Sequence, residues 1–195
     1  KTYPTAAITV IEQNRFDDTF GFGVVFSDRT MDNFRRADAE THDRITGAFE
    51  HWDDIDIHFK GQVLTSTGHG FAGMSRQEML LIMQRRAAEL GVKIEFQKRV
   101  ANPDELRDAD LVFAADGVNS VVRDAYKAQF KPTIDFRPNR FVWLGTDFNF
   151  PAFTFHFVQN RHGLWRTHCY RYTEGMATLI LECTEQTFRN SGLAV

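Results

Sequence analysis

The sequence predicts a mixed α/β (α+β) fold, in which a partial Rossmann-like unit accompanies an antiparallel β-sheet unit. Three observations carry this. Apolar, barely alternating runs at 7–11 and 110–115 have the composition of parallel strands covered on both faces. A strong helical pattern over 75–91, then strand, turn and helix signals to about residue 130, follows the alternation of α/β proteins. From Asn139 onward helical signals disappear and four strand-like runs succeed one another.

The elements follow in order. Ala7-Ile8-Thr9-Val10-Ile11 is β-branched and apolar, the pattern of a doubly covered strand. Such a strand needs a neighbour on each side, and the chain opens at Lys1 without Met, so a longer parent protein is expected. Phe20-Gly21-Phe22-Gly23-Val24-Val25 reads as a turn entering a strand. Ile55–Phe59 and Val63–Thr65, separated by Gly61, form a hairpin pattern. Over 75–91, Ser75 and Glu78 have capping-box spacing, Met79, Ile82, Met83 and Leu90 mark an apolar face, and Gly91 stops the helix. Val92–Phe96 alternates as a strand, and Asn102-Pro103 breaks the chain. Asp110–Ala115 reads as a second doubly covered strand, Asp116-Gly117 turns it, and Asn119 or Ser120 caps a helix to about Phe130. Phe141–Leu144, Thr154–Val158, Leu164–Tyr172 and Ala177–Cys183 are the four later strands. The expected division is 1–49 with 71–136 as the Rossmann-like unit, and 50–70 with 137–195 as the β-sheet unit.

Composition narrows the function classes. The 195 residues are 43% hydrophobic and 25% charged with a net charge of −3, which excludes a disordered polyelectrolyte and a basic nucleic-acid binder. Two cysteines exclude a disulfide scaffold and a Cys-rich zinc module; Cys169 and Cys183 read as reduced, buried residues of a cytoplasmic protein. No apolar run approaches the ~20 residues that span a bilayer. The seven histidines (His42, His51, His58, His69, His156, His162, His168) show no metal-ligand spacing, so no metal site is expected. No Gly-x-Ser-x-Gly elbow or Walker loop occurs.

The candidate site residues are cofactor contacts. Glu12 ends the first strand, where a carboxylate can accept both hydrogen bonds of a ribose diol; a solvated strand-end acid is the alternative. Gly21 and Gly23 would let backbone approach a flat ligand, or simply make a turn. Arg76 lies in the first turn of the 75–91 helix, where the helix N-terminus and a guanidinium both favour an anion; it is equally readable as a surface arginine. Asp116 and Gly117 occupy the strand-to-helix turn at which open α/β sheets bind ligands. Phe153, Phe155, Phe157, Trp165, Tyr170 and Tyr172 could line an apolar pocket or pack a core.

Together these strings resemble the class A flavin-dependent aromatic hydroxylases. Ala-Asp-Gly-Val-Asn-Ser-Val-Val-Arg at 115–123 is similar to that family's Asp-Gly motif, and Ile8–Glu12 resembles its second strand with the ribose-binding acid. Arg76 resembles the arginine that meets the flavin dinucleotide, and Val100 falls where the family's backbone touches adenine. Gly21–Asp28, Phe141–Asp147 and His168–Tyr172 are similar to the branch of salicylyl-CoA 5-hydroxylase, 2-aminobenzoyl-CoA monooxygenase and the violacein-pathway tryptophan hydroxylases. The resemblance implies FAD as cofactor, NADH or NADPH and oxygen as co-substrates, and hydroxylation of an aromatic substrate, with a CoA thioester favoured. It nominates no catalytic side chain; Tyr170, Tyr172 and the histidines stay open as orienting groups. The family's opening Gly-x-Gly-x-x-Gly and its later Gly-Asp motif are not in these 195 residues, which are therefore expected to be a fragment. A non-catalytic nucleotide-binding or structural fragment, and a flavoprotein oxidoreductase of another branch, are the competing readings.

Overall fold

The computed structural model describes residues 3–193. The expectations attached to the chain ends at Lys1 and Val195 lie outside the described residues. The chain divides into two compact units, 1–16 with 88–137 and 17–87 with 138–195.

The larger unit, 17–87 with 138–195, is built on a six-stranded mixed sheet. Four of its strands are those expected from the last third of the sequence: β8 (Asn139–Thr146), β9 (Phe153–Asn160), β10 (Gly163–Thr173) and β11 (Met176–Thr184). They run antiparallel in the order β9-β10-β11-β8. The expected hairpin forms as β4 (Ile55–Phe59) and β5 (Gln62–Ser66), and β4 joins β9 in parallel register, Ile57 opposite Phe155. A second sheet of three short strands has β6 (Phe71–Ser75) at its centre, between β2 (Gly23–Phe26) and β3 (Glu50–Trp52).

Helices α1 (Asp28–Ala37), α2 (Ala39–Thr46) and α3 (Arg76–Glu89) accompany this second sheet. Asp38 links the first two: it ends α1 and caps α2 through the Thr41 amide. Its carboxylate also pairs with Arg86 of α3 at 2.8 Å. Ser75 accepts the Glu78 amide, the cap expected for α3. The apolar face expected for α3 is only partly buried: Ile82 packs with Met31, Ile45 and Met74, while Met83 and Leu90 stay exposed. A short helix, α6 (Glu185–Asn190), follows β11 and is capped by Thr184.

The smaller unit, 1–16 with 88–137, departs furthest from expectation. β1 (Thr9–Ile11) pairs in parallel with β7 (Lys93–Glu95), and these two strands make the whole sheet. The run 7–11 is not doubly covered, since Ile8 is 52% and Val10 44% exposed. Residues 110–115 form no strand, with Leu111 70% and Phe113 87% exposed. The reason is physical: a parallel strand takes its hydrogen bonds and its burial from neighbours, and among the described residues these runs have one neighbour or none. The helix expected to reach Phe130 is two pieces, α4 (Val121–Ala125) and α5 (Lys127–Phe130), closed by Lys131 in the left-handed region at φ 47°. α4 lies against a short 3-10 turn at Pro103–Leu106, where the expected chain break at Asn102 forms a capping box with Glu105.

Candidate functional site

The proposed cofactor residues fall in both units. In the smaller one, Glu12 directly follows β1, and its amide bonds to the Glu95 carbonyl at 2.9 Å. Its carbonyl accepts from the Lys98 amide at 3.0 Å, two residues before Val100. The structure thus brings Glu12 and the 98–100 segment together at the carboxyl ends of two parallel strands, where α/β sheets bind ligands. Oε1 of Glu12 accepts from the amide and the side chain of Asn14, both at 2.8 Å.

Asp116 and Gly117 sit on the turn before α4. One Asp116 oxygen accepts from the Ser120 hydroxyl at 2.6 Å, and the other from the Val121 and Val122 amides. The Ser120 bond, the largest influence, holds the carboxyl below its ordinary value; burial opposes it, and the backbone bonds add to the lowering. Asp116 therefore works as the structural staple of its own turn. Gly117 has φ +81°, and a Cβ built there would meet nothing within 4 Å, so its backbone is open to close approach.

In the larger unit the structure brings Gly21, Gly23 and Arg76 together. The Arg76 amide bonds to the Phe22 carbonyl, and its Nε to Thr19 Oγ1 at 3.0 Å. Its two terminal amines make no hydrogen bond among the described residues. Beside it lies a cleft of about 320 Å³ lined by Asp17, Asp18, Thr19, Gly21, Ser75 and Tyr172. The two glycines admit rings of the protein itself. A Cβ on Gly21 would lie 2.5 Å from the Trp143 indole, and one on Gly23 would lie 2.6 Å from Tyr172. The Gly23 amide donates to Thr178 Oγ1 at 3.0 Å and its carbonyl accepts from the Tyr170 hydroxyl at 3.0 Å, which ties β2 to the large sheet.

The aromatic residues of β9 and β10 divide between the faces of the large sheet. By register, Ile57, Phe155, His168, Ile180 and Trp143 occupy one row on five adjacent strands. Phe153 packs against Phe71, Phe155 and Tyr170, and Tyr170 against Trp52. Trp165 lies on the opposite face, bonded to Asn160, and Tyr172 lines the cleft beside Gly21. The expected apolar surface is thus half core and half open wall. Cys169 and Cys183 are free and buried. No group of three or more metal-ligating side chains occurs among the described residues, and no helix among them is long and apolar enough to cross a membrane. Sequence reasoning missed the Trp143–Gly21 and Tyr172–Gly23 contacts, for which only the paired glycines were a signal.

No family model matches the chain. It is 37% identical over 193 residues, 99% of this chain, to salicyloyl-CoA 5-hydroxylase of a Streptomyces species, and covers 37% of that protein. It is 31% identical over 175 residues, 90% of this chain, to the 3-hydroxy-4-methyl-anthranilyl-[aryl-carrier protein] 5-monooxygenase of Streptosporangium sibiricum, and covers 49% of it. The chain therefore spans between a third and a half of the length of these two relatives. Among solved structures, 2-methyl-3-hydroxypyridine-5-carboxylic acid oxygenase superposes with a TM-score of 0.73 at 19% identity, covering 93% of this chain and 53% of that one. A probable FAD-dependent monooxygenase of Pseudomonas aeruginosa, PqsL, does so with a TM-score of 0.62 at 14% identity, covering 93% and 55%. The chain is thus a sequence homologue of these two monooxygenases, and its fold is that of the two solved oxygenases.

Proposed function

We propose that the chain is part of an FAD-dependent monooxygenase that hydroxylates an aromatic ring carried as a coenzyme A thioester, using NADH or NADPH and O2. The observation that carries this is the 37% identity to salicyloyl-CoA 5-hydroxylase across 99% of the chain. Flavin, when bound, supplies the oxygen chemistry, and the protein supplies binding, orientation and exclusion of water.

The residues fit the cofactor in part. Arg76 offers a guanidinium whose terminal amines make no hydrogen bond among the described residues, at the start of a 14-residue helix, which suits a phosphate. Glu12, with Oε2 outside its Asn14 contacts, suits a ribose diol, and the Val100 backbone suits adenine. Gly117 suits close approach of a phosphate, on a turn that Asp116 holds rigid. Gly21 lines the cleft beside Arg76, and Gly23 lets β2 lie against Tyr172.

In this reading residues 1–49 and 71–136 serve the cofactor, and 50–70 and 137–195 the substrate. Compactness groups 17–49 and 71–87 with the large sheet instead, because β2 is bonded to it through Gly23 and the Trp52 and Phe71 rings of β3 and β6 pack against Tyr170 and Phe153. The aromatic row on the large sheet would orient the substrate ring.

The test adds FAD and then NADH or NADPH with salicyloyl-CoA to the purified protein. Yellow protein that retains flavin through gel filtration, and oxidises the nicotinamide faster with the thioester, is the expected result. Arg76→Ala should weaken FAD binding about tenfold, the loss of one charge-assisted contact. Colourless protein, with no flavin retained, would leave a structural or nucleotide-binding role in its place.

A further inference from the structure

The row Ile57, Phe155, His168, Ile180, Trp143 holds four hydrocarbon-rich side chains and one imidazole. Arg166 and Tyr170 of β10 and Glu182 and Thr178 of β11, on that face, have partners. Arg166 pairs with Glu182. The Tyr170 hydroxyl donates to the Gly23 carbonyl, and Thr178 accepts the Gly23 amide. His168 makes ring contacts only, to Phe153 at 6.4 Å and Phe155 at 6.1 Å, and no hydrogen bond among the described residues. The remaining histidines are elsewhere engaged or placed. His58 and His156 stack at 4.3 Å on the opposite face, where His156 bonds Thr167. His69 bonds Ser66, and His42 bonds Asp43.

Burial is the largest influence on His168 and lowers its pKa; Glu182 opposes this and Arg166 adds to it. A half-buried imidazole with its pKa below the ordinary value is neutral near pH 7, so one ring nitrogen donates and the other accepts. Leaving those groups unmatched beside phenyl rings is costly, and a ligand hydrogen bond removes the cost. An aromatic wall with few polar atoms of unmet bonding capacity, here the His168 ring and, among the described residues, the buried Nε1 of Trp143 in the same row, is how small-molecule sites fix orientation.

We propose that His168 determines specificity by hydrogen-bonding a hydroxyl or amino substituent on the substrate's aromatic ring, which lies along the Phe155 row. Such a substituent both donates and accepts, so it matches either tautomer of the imidazole. Tyr170 and Tyr172 drop out as orienting groups, the first because its hydroxyl is bonded to β2 and the second because it lies beside the Gly21 cleft. The inference rests on the hydroxylase reading above, and its experiment separates the two.

Dissociation constants for salicyloyl-CoA and benzoyl-CoA, which differ by the ring hydroxyl, are measured on FAD-loaded wild type, His168→Phe and His168→Gln by quenching of tryptophan fluorescence. Wild type should bind the hydroxylated ester about tenfold more tightly, the size of one hydrogen bond in a desolvated site. His168→Phe should lose that preference with benzoyl-CoA affinity unchanged. His168→Gln, which keeps a donor and an acceptor, should restore part of it, an outcome a merely structural role would not produce. A preference that survives in His168→Phe overturns the assignment, as does equal binding of both esters by wild type; should His168→Phe not fold, a reduced but retained preference in His168→Gln without an effect on benzoyl-CoA supports it and an undiminished preference overturns it. Failure of wild type to bind either ester removes the hydroxylase reading and this inference together.

Discussion

The two compact units contain apolar strand sequences of similar quality and do different things with them. In 17–87 with 138–195, β10 is paired on both sides over 165–169, and Cys169, Tyr170 and Tyr172 are buried. In 1–16 with 88–137, β1 is paired on one side over three residues, and the 110–115 run is unpaired and exposed. The difference teaches that β-branched, apolar composition is a statement about an environment and becomes structure only where that environment is present. A helix carries its own hydrogen bonds, so α3 forms as expected; a parallel strand does not.

The largest expected effect tests the completed side of this comparison. Met74, on β6 at the centre of its three-stranded sheet, is fully buried among Met31, Ile45 and Ile82. Met74→Ala should destabilise the larger unit by about 2–5 kcal/mol in denaturant unfolding, as deletion of a buried side chain does elsewhere. A loss below about 1 kcal/mol would show that this core is loosely packed and that the contrast between the units is overdrawn.

Glycine sharpens the same contrast. Gly23→Ala places a Cβ 2.6 Å from Tyr172 and 2.9 Å from Thr178 Oγ1, in backbone pairing that cannot shift without breaking both bonds to β2. A destabilisation of about 1–3 kcal/mol is expected from overpacking. Gly117→Ala meets no atom and carries only the strain of φ +81°, so its cost should be about 1 kcal/mol. Equal costs for the two would mean that Gly117 is packed as tightly as Gly23.

Legibility in the sequence follows the same physics. α3, the β4–β5 hairpin and β8–β11 were readable because periodicity, caps and turn residues are local signals. α1 and α2 were not, because their apolar residues are few and the joint at Asp38 shows only as an acid between two alanines. β6 was hidden by its own packing: Phe-Ala-Gly-Met-Ser looks like a weak strand, yet Gly73 is small because the Trp52 ring lies 2.5 Å from where its Cβ would be. Of the proposed site residues, the position of Glu12 at a strand end and of Arg76 at a helix start was readable from local pattern. The selection of His168 from seven histidines required register, which no local pattern contains.

A smaller effect is expected at the turn that Asp116 organises. Ser120 donates to Asp116 and caps α4 by accepting the Arg123 amide. Ser120→Ala should cost about 1 kcal/mol, the usual worth of a cap. The pH dependence has a definite sign. The folded carboxyl titrates below its unfolded value, so the stabilisation is present above the ordinary carboxylate range and is lost as pH falls through the lowered folded value. Hydrogen exchange of the 116–125 segment should therefore speed up as wild type is acidified, whereas Asp116→Asn should show the acid-end stability at all pH and lose the pH dependence. Retained pH dependence in Asp116→Asn would assign the titration to another group.

The smallest effect is the one most able to break the comparison. Phe113 is 87% exposed in a run whose composition asks for burial. If the exposed state is the stable one for these residues, Phe113→Ser removes no contact, and unfolding should change by less than about 0.5 kcal/mol, as at other exposed positions. The apolar character of the run would then matter only to solubility, and the variant should aggregate less than wild type, because a large exposed apolar residue invites association. A destabilisation above about 1 kcal/mol would mean that Phe113 is buried against protein in solution. The 110–115 run would then have a strand's environment after all, and the rule drawn from the two units would reverse: the composition would be reporting a neighbour that the folded chain does find.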